Sequence, residues 1–282
     1  MGKRSRSLTR NHRRIITPGT VGGCFLWLDA EKGLYDSVTG GSLVTTNGAT
    51  IARWEDQGPL KNHFSQATAG SRPTLLNNAF NGKKGVSFLS KFMRIASDTT
   101  VGDWGTQNNL FIYAVFKFNS SSTASYENII MRSGGYSGTV AGVWGLRKWD
   151  LTPYSGSAGQ LAGVAFTNGY YDRTGQSNFN STSYNLIFYS FPREDTRNFN
   201  VSMQVNNVLQ QSLSIGDNAA NLVTNHKLIL GTSQYGTGYT VDASTYFNGV
   251  LCELVVYLRP NKLVEYEFIG LRSYFKAKYG IA

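Results

Sequence analysis

Gly249-Val250-Leu251-Cys252-Glu253-Leu254-Val255-Val256-Tyr257 is an apolar run interrupted by a single carboxylate, entered through Tyr246-Phe247-Asn248 and left through Leu258-Arg259-Pro260. Its length, its valines and aromatics, and its glycine and proline boundaries mark a buried β-strand. Near the start, Cys24-Phe25-Leu26-Trp27-Leu28-Asp29-Ala30 reads as a second apolar strand. Pairing of these two segments would close one sandwich around everything between them. Period-two counting puts Cys24 on the face of Leu26 and Leu28, and Cys252 on the face of Val250, Leu254 and Val256. If the strands pair, the two sulfurs are expected to be neighbours in the core, as reduced thiols in preference to a disulfide, because nothing indicates an oxidising compartment. Two cysteines do not make a structural zinc site, and none of His12, His63 and His226 has ligand spacing to them.

Between the ends, half-buried alternation recurs, each run closed by Gly, Asn, Asp or Ser. From Leu110 to Phe118 both faces are largely apolar, as in a central strand. Phe199, Val201, Met203 and Val205 alternate with polar residues, so one face is expected in the core and one in water. Asn206-Asn207 then reads as a tight hairpin turn before Val208-Leu209, since asparagine tolerates positive φ. Further strands are expected at Gly85–Leu89, Phe92–Ala96, Ile129–Arg132, Ala141–Arg147, Leu161–Thr167, Tyr184–Phe191 and Lys227–Thr232. With 31 glycines to turn them, these strands predict an all-β fold, a two-sheet antiparallel sandwich or jelly roll, over a parallel α/β fold. One helix is expected, from Asn261 to Tyr279, where Leu263, Tyr266, Ile269 and Phe275 recur at helical steps, Pro260 precedes and Gly280 follows.

The net charge of +10 is concentrated at the front. Lys3, Arg4, Arg6, Arg10, Arg13 and Arg14 lie in the first fourteen residues with no acid among them, leaving 21 basic against 17 acidic residues in the remainder. The chain therefore divides into a basic, extended N-terminal arm, residues 1–23, and one domain, residues 24–282. The arm breaks off at Ile15-Ile16-Thr17-Pro18 without the apolar core of a secretory signal. Two readings of it stay open: a contact to phosphates or another acidic surface, or a solvated tail or docking peptide. Six phosphate contacts would give a slope of roughly −5 for log K against log salt. No run is long and apolar enough to read as a membrane span.

Four places carry a resemblance: Leu26-Trp27-Leu28-Asp29-Ala30; Trp54-Glu55-Asp56-Gln57-Gly58 with Asn62, Gln66 and Arg72-Pro73-Thr74-Leu75; Asn81-Gly82-Lys83 leading to Val86-Ser87-Phe88; and the Gly249–Tyr257 strand with its helix ending Lys278-Tyr279-Gly280-Ile281. In order and spacing they resemble the concanavalin A-like jelly rolls, in particular the laminin-G-like modules of phage structural and bacterial surface proteins. The family pattern usually has serine where Gln57 stands. The resemblance implies structural roles for Trp27, Trp54 and Asp56. Some relatives use calcium, but no Asp-x-Asp-x-Asp-Gly loop occurs, and Asp29, Asp36 and Asp242 would meet a cation only if folding gathered them. No cofactor is expected.

Catalysis has little support. Retaining glycosidases of the wider superfamily need two carboxylates about 5–5.5 Å apart, and the Glu-x-Asp-x-x-Glu type of run is missing. Glu55-Asp56 and Glu194-Asp195 are adjacent and would face opposite sides of a strand. There is no Gly-x-Ser-x-Gly element and no phosphate-cradling loop. Sugar binding on such sandwiches uses aromatic faces with Asn, Asp and Gln from loops. Two stretches read as loops have that composition: Asn168-Gly169-Tyr170-Tyr171-Asp172-Arg173 and Gln234-Tyr235-Gly236-Thr237-Gly238-Tyr239. Tyr170, Tyr171, Asp172, Tyr235 and Tyr239 are the glycan-contact candidates, with ordinary exposed turns as the plain alternative.

The resulting expectation is a non-enzymatic virion structural protein: a capsid, decoration or fibre component. Its partners would be further copies or other virion proteins, with nucleic acid at the arm and a host glycan at the jelly roll, and no membrane. A stand-alone carbohydrate-binding or adhesion module is the alternative, and a glycoside hydrolase the third. The sequons at Asn119, Asn180 and Asn200 are short matches that arise by chance in such a chain.

Overall fold

A computed structural model describes residues 15–95, 109–119, 127–133, 144–149, 160–167, 170–176, 183–192, 198–216, 227–235 and 240–281. In chain order its strands are β1 (Cys24–Asp29), β2 (Leu34–Tyr35), β3 (Arg53–Trp54), β4 (Phe64–Ser65), β5 (Thr74–Phe80), β6 (Lys83–Phe88), β7 (Met93–Ile95), β8 (Asn109–Phe118), β9 (Glu127–Ser133) and β10 (Trp144–Trp149). They continue with β11 (Gln160–Thr167), β12 (Tyr170–Gln176), β13 (Asn185–Pro192), β14 (Asn198–Val205), β15 (Val208–Gly216), β16 (Lys227–Leu230), β17 (Gln234–Tyr235), β18 (Thr240–Val241) and β19 (Gly249–Arg259), before the helix α1 (Glu265–Tyr279).

Two antiparallel sheets result. One has eight strands in the order β15-β14-β13-β8-β19-β6-β5, with β1 also on β19; the other has nine, in the order β12-β11-β10-β9-β16-β7-β4-β3-β2. The hairpin β17–β18 stands apart. The alternations read at 110–118 and 198–205 are strands β8 and β14. Asn206 and Asn207 do form the turn to β15, with φ of 49° and 65°, and the Asn206 carboxamide accepts the Leu186 N–H at 2.9 Å.

The opening and closing strands pair antiparallel, and β19 is the hub. It takes β8 along its whole length on one side; on the other, β6 pairs with Gly249–Leu251 and β1 with the stretch from Glu253 to Tyr257. The register overturns the expectation for the cysteines. Cys24 lies opposite Tyr257, whereas Cys252 lies at the far end of the pairing, where its carbonyl accepts the Ala30 N–H at 3.0 Å. Five residues at about 3.4 Å each separate the two levels by roughly 17 Å. Both cysteines are buried free thiols.

Face assignment also departs from strict alternation, because each strand carries a bulge. The register of β19 on β8 slips between Leu251 and Glu253, and that of β1 on β19 slips between Cys24 and Leu26. A bulge turns two successive side chains to one side. Leu251, Leu254 and Val256 therefore face the core between the sheets, as do Phe25, Leu26 and Leu28. Cys24, Trp27, Val250, Cys252, Val255 and Tyr257 face the other way.

Those outward residues form a second core beneath α1, with Tyr113, Phe188, Leu271, Phe275 and Tyr279. The protein thus has three layers: nine-stranded sheet, eight-stranded sheet, helix. The helix begins at Glu265, four residues after the expected start. Val264 is extended (φ −79°, ψ 158°), and its N–H is taken by the Glu267 carboxylate at 3.1 Å, which also binds Arg259 at 2.9 Å. Gly280, with φ of 68°, ends the helix as expected, its N–H donating to the Lys276 carbonyl. No described helix is long and apolar enough to cross a membrane.

Residues 15–23, read above as part of the arm, pack on this body. Pro18 and Val21 are buried, the Tyr257 hydroxyl donates to the Pro18 carbonyl at 3.0 Å, and Ile16 lies against Gly270 of α1. The six cations from Lys3 to Arg14 lie outside the described residues.

Candidate functional site

The two outer faces of the sandwich are treated differently. That of the eight-stranded sheet is closed by α1, and the charged groups beneath the helix are fully engaged. The bulge that turns Glu253 out of the inter-sheet core delivers its carboxylate to four donors: Trp27 Nε1 at 2.7 Å, the Tyr274 hydroxyl at 2.8 Å, Lys278 Nζ at 2.7 Å and the Tyr279 hydroxyl at 2.9 Å. Lys278 also pairs with Asp29 at 2.7 Å. Burial and the neighbouring Asp29 raise the Glu253 pKa above the usual carboxylate range. Burial works against the Lys278 ammonium, but Glu253 and Asp29 outweigh it and hold its pKa above the ordinary lysine value. A carboxylate with zero exposure and four donors is arranged to hold a helix, not to exchange protons with a substrate.

The outer face of the nine-stranded sheet carries no helix among the described residues. Its central row is set by register: Arg94 of β7 opposite Ile229 of β16, Ile229 opposite Met131 of β9, and Met131 opposite Gly145 of β10. Gly145 is required there, because a Cβ would run into the Met131 side chain and the Ile130 carbonyl. Met131 and Ile229 are buried under Phe92 and Val241. Phe92 stacks on Tyr246 at 6.4 Å and 29°, and the Arg94 guanidinium lies 5.0 Å from the Phe92 ring centre. Along the next row Asn128 faces Arg147. Asn128 is 1% exposed, and its side-chain oxygen has no hydrogen-bond partner among the described residues. Burial lowers the Arg94 pKa, with Tyr246 acting in the opposite direction.

A polar knot fixes the segment that brings Tyr246 over this face. Asp242 accepts from the Ser244 N–H at 2.9 Å and hydroxyl at 2.6 Å, while the Thr232 hydroxyl donates to the Asp242 carbonyl at 2.8 Å. Ser233 and Thr245 join it through their hydroxyls at 2.9 Å. The hairpin β17–β18 is rooted in this knot.

The residues singled out from the sequence fall on both sides of this face. Tyr170, Tyr171 and Asp172 belong to the regular edge strand β12 instead of a loop, opposite Thr167, Phe166 and Ala165. Tyr235 is in β17, opposite Thr240. Tyr239 lies outside the described residues, as do Asn168, Gly169 and Gly236–Gly238. Four strand spacings, roughly 19 Å, separate β12 from β16, which leads into the hairpin. The first segment thus lies on an edge strand of the nine-stranded sheet, whereas Tyr235 lies in the separate hairpin that follows the middle strand β16. Phe92, Arg94, Asn128, Arg147 and Tyr246 were missed. The signal for two of them was present: Phe92 and Arg94 share one face of a segment already read as a strand.

Asp29, Asp36 and Asp242 are not gathered. Asp36 organises a turn through the Ser42 N–H at 2.8 Å, and the other two serve the networks above. Among the described residues no cluster of three or more His, Cys, Asp or Glu is placed to hold a metal. Asp56 has the turn role expected of it, accepting from the N–H groups of Trp27, Gly58 and Asn62 at 2.7, 2.7 and 2.8 Å.

No family model matches the sequence, and no curated protein matches it. Solved structures do. The botulinum neurotoxin serotype D binding domain superimposes with a TM-score of 0.50 and 11% identity, over 91% of this chain and 51% of that one. The fold is a concanavalin A-like jelly roll. Weaker likenesses include a Trypanosoma rangeli sialidase (TM-score 0.48, 11% identity, 90% of this chain and 33% of that chain) and the mouse laminin α1 domains LG4-5 (0.40, 14%, 61% and 40%). The jelly roll spans about half the botulinum domain and a third of the sialidase. At these identities the likeness concerns the fold alone.

Proposed function

We propose that this jelly roll is a non-enzymatic glycan-binding module, serving in a virion as a capsid, decoration or fibre component, with its basic arm as the anchor to the assembly or to nucleic acid. The observation that carries the glycan reading is the outer face of the nine-stranded sheet, where the half-buried Phe92–Tyr246 pair lies beside Arg94 and the amide of Asn128. An aromatic platform beside a few convergent polar groups suits a pyranose ring. The similar botulinum structure is itself a binding domain. The non-enzymatic reading is supported by the engagement of Glu253 and Asp29 in holding α1.

A glycan array with the wild type, Phe92→Ala and Tyr246→Ala tests it. Wild-type binding lost in both variants, with unchanged melting temperatures, is expected; silence of the wild type across a broad array overturns the glycan reading. Reducing-sugar release from β-glucans would instead support a hydrolase. The virion role is motivated by the charge asymmetry of the arm. Particles or symmetric oligomers by electron microscopy are expected, and a monomer that binds sugar would favour a stand-alone adhesion module.

A further inference from the structure

The network that holds α1 also brings an amine, a carboxyl group and a proton acceptor together where no external substrate enters. Asp29 ends β1 and stands opposite Glu253 of β19 in the strand register, and Lys278 lies in the last turn of α1. Lys278 Nζ is 2.7 Å from Asp29 Oδ1 and 2.7 Å from Glu253 Oε2. Asp29 is 1% exposed and Glu253 not at all. The lysine is clamped further: its ammonium donates to the Tyr274 hydroxyl at 3.2 Å and lies 5.2 Å from the Tyr279 ring centre. A second donor, the Glu31 N–H, fixes the Asp29 carboxylate at 3.0 Å on the same oxygen. Nζ thus rests against the carboxyl group whose carbon it would attack, and neither side chain is free to turn away.

We propose that Lys278 and Asp29 condense to a side-chain amide, an isopeptide bond between Nζ and Cγ, with Glu253 as the group that moves the proton. The proposal stands apart from the glycan reading, and either can fail alone. An ammonium is not a nucleophile, so the first step passes a proton from Nζ to Glu253 Oε2 along the existing hydrogen bond. Burial favours the neutral form of each partner, raising the Glu253 pKa and working against the Lys278 ammonium, whereas the charges of Glu253 and Asp29 return the proton to the lysine between transfers. The freed amine attacks Asp29 Cγ. The N–C bond forms, one C–O bond breaks, and that oxygen leaves as water with two protons of the original ammonium, one of them handed over by Glu253. The Glu31 N–H steadies the charge that builds on Oδ1, the oxygen that stays. The sum is ammonium plus carboxylate giving amide plus water, and Glu253 ends as it began. Holding the two groups in contact raises their effective concentration far above that of free reactants, and the water leaves through the groove bordered by Asp29, Lys278, Ile16 and Ser273. The bond ties β1 to the end of α1, and a cross-link across so much chain restricts the unfolded state as a disulfide does.

Intact-mass spectrometry of the folded, full-length protein tests it. The wild type is expected to weigh one water less than its sequence, and a protease digest to yield a branched peptide joining the Asp29 segment to the Lys278 segment. Lys278→Arg keeps a cation opposite Asp29 but has no amine to acylate, and is expected at full sequence mass. Asp29→Asn is expected to give the same branched peptide with loss of ammonia in place of water, a readout that a merely structural contact would not produce. Glu253→Gln is expected to link more slowly by about a hundredfold or more, with its melting temperature reporting that it folds. Full sequence mass in the wild type after prolonged incubation in the folded state, a water loss that maps to any other pair of residues, or an unchanged rate in Glu253→Gln overturns the proposal.

Discussion

At the scale of single residues, Glu253 decides the most. A lone carboxylate in an apolar strand would be ruinous in the core between two sheets, where an uncompensated buried charge costs several kcal/mol. The bulge between Leu251 and Glu253 turns it instead to the helix side, among Trp27, Tyr274, Lys278 and Tyr279. Glu253→Ala leaves those four donors facing a void. A loss of about 3–5 kcal/mol is expected, read as a lower urea midpoint at unchanged slope. Glu253→Gln keeps the volume and one acceptor oxygen, but turns an N–H₂ towards donors; it should fall between alanine and wild type. An alanine variant as stable as wild type would show that the network contributes nothing net. The exception in the strand was legible in the sequence as one acidic residue among valines and leucines. Its direction was not, because a bulge is set by pairing with β8 and β1, and local alternation carries no record of the partner.

At the scale of elements, α1 is held from three sides, and only one could be read beforehand. Its apolar stripe, Leu271, Phe275 and Tyr279, packs on the sheet, as the helical spacing implied. The hairpin turn supplies a second hold, since the Asn207 carboxamide accepts from Arg272 Nε at 2.9 Å. The third is the N-terminal segment, where Ile16 fills the space that a side chain at Gly270 would occupy. Gly270→Val tests that hold with opposing effects. Removing a mid-helix glycine gains up to about 1 kcal/mol in backbone propensity, less for a β-branched residue, whereas expelling Ile16 forfeits buried apolar contact and overpacks the site, typically about 1–3 kcal/mol. A net loss is expected, together with faster proteolytic cutting near residues 15–20 than in wild type; a stabilised variant with an unchanged cutting pattern would mean that Ile16 does not dock there. The strands were legible because a period of two shows in each segment by itself, and the turn at Asn206-Asn207 because positive φ selects asparagine. The docking of residues 15–23 and the platform of Phe92, Arg94, Asn128 and Tyr246 were not. Both depend on which distant segments become neighbours, here through the order β9-β16-β7.

At the scale of the whole molecule, the layer between the eight-stranded sheet and α1 concentrates groups that must stay protonated. Burial pushes the Cys24 thiol from its ordinary 9.0 to about 12, with Asp56 adding to the effect. Burial likewise raises Cys252 and the hydroxyls of Tyr113, Tyr257, Tyr274 and Tyr279, with Glu253 reinforcing it at Cys252, Tyr274 and Tyr279. For each of these groups the folded pKa exceeds the unfolded one, so the folded state retains the proton that the unfolded state gives up. Their contribution to stability is complete below the ordinary values, near 9 for the thiols and 10 for the tyrosines, and falls as pH rises above them. Lys278, also raised, adds loss in the same direction. Each group therefore weakens the fold as pH rises through that window, and the effects act together on a total stability of about 5–15 kcal/mol. Glu253, raised as well, binds its proton more tightly folded than unfolded, so acidification does not draw this layer apart. The expected behaviour is cooperative loss of near-ultraviolet circular dichroism within one or two units above pH 10. At pH 8, neither thiol should react with a thiol reagent in the folded protein, and both should react in denaturant. Thiol labelling of the native protein at pH 8, or an unfolding midpoint unchanged to pH 12, would show that α1 does not seal the sheet beneath it.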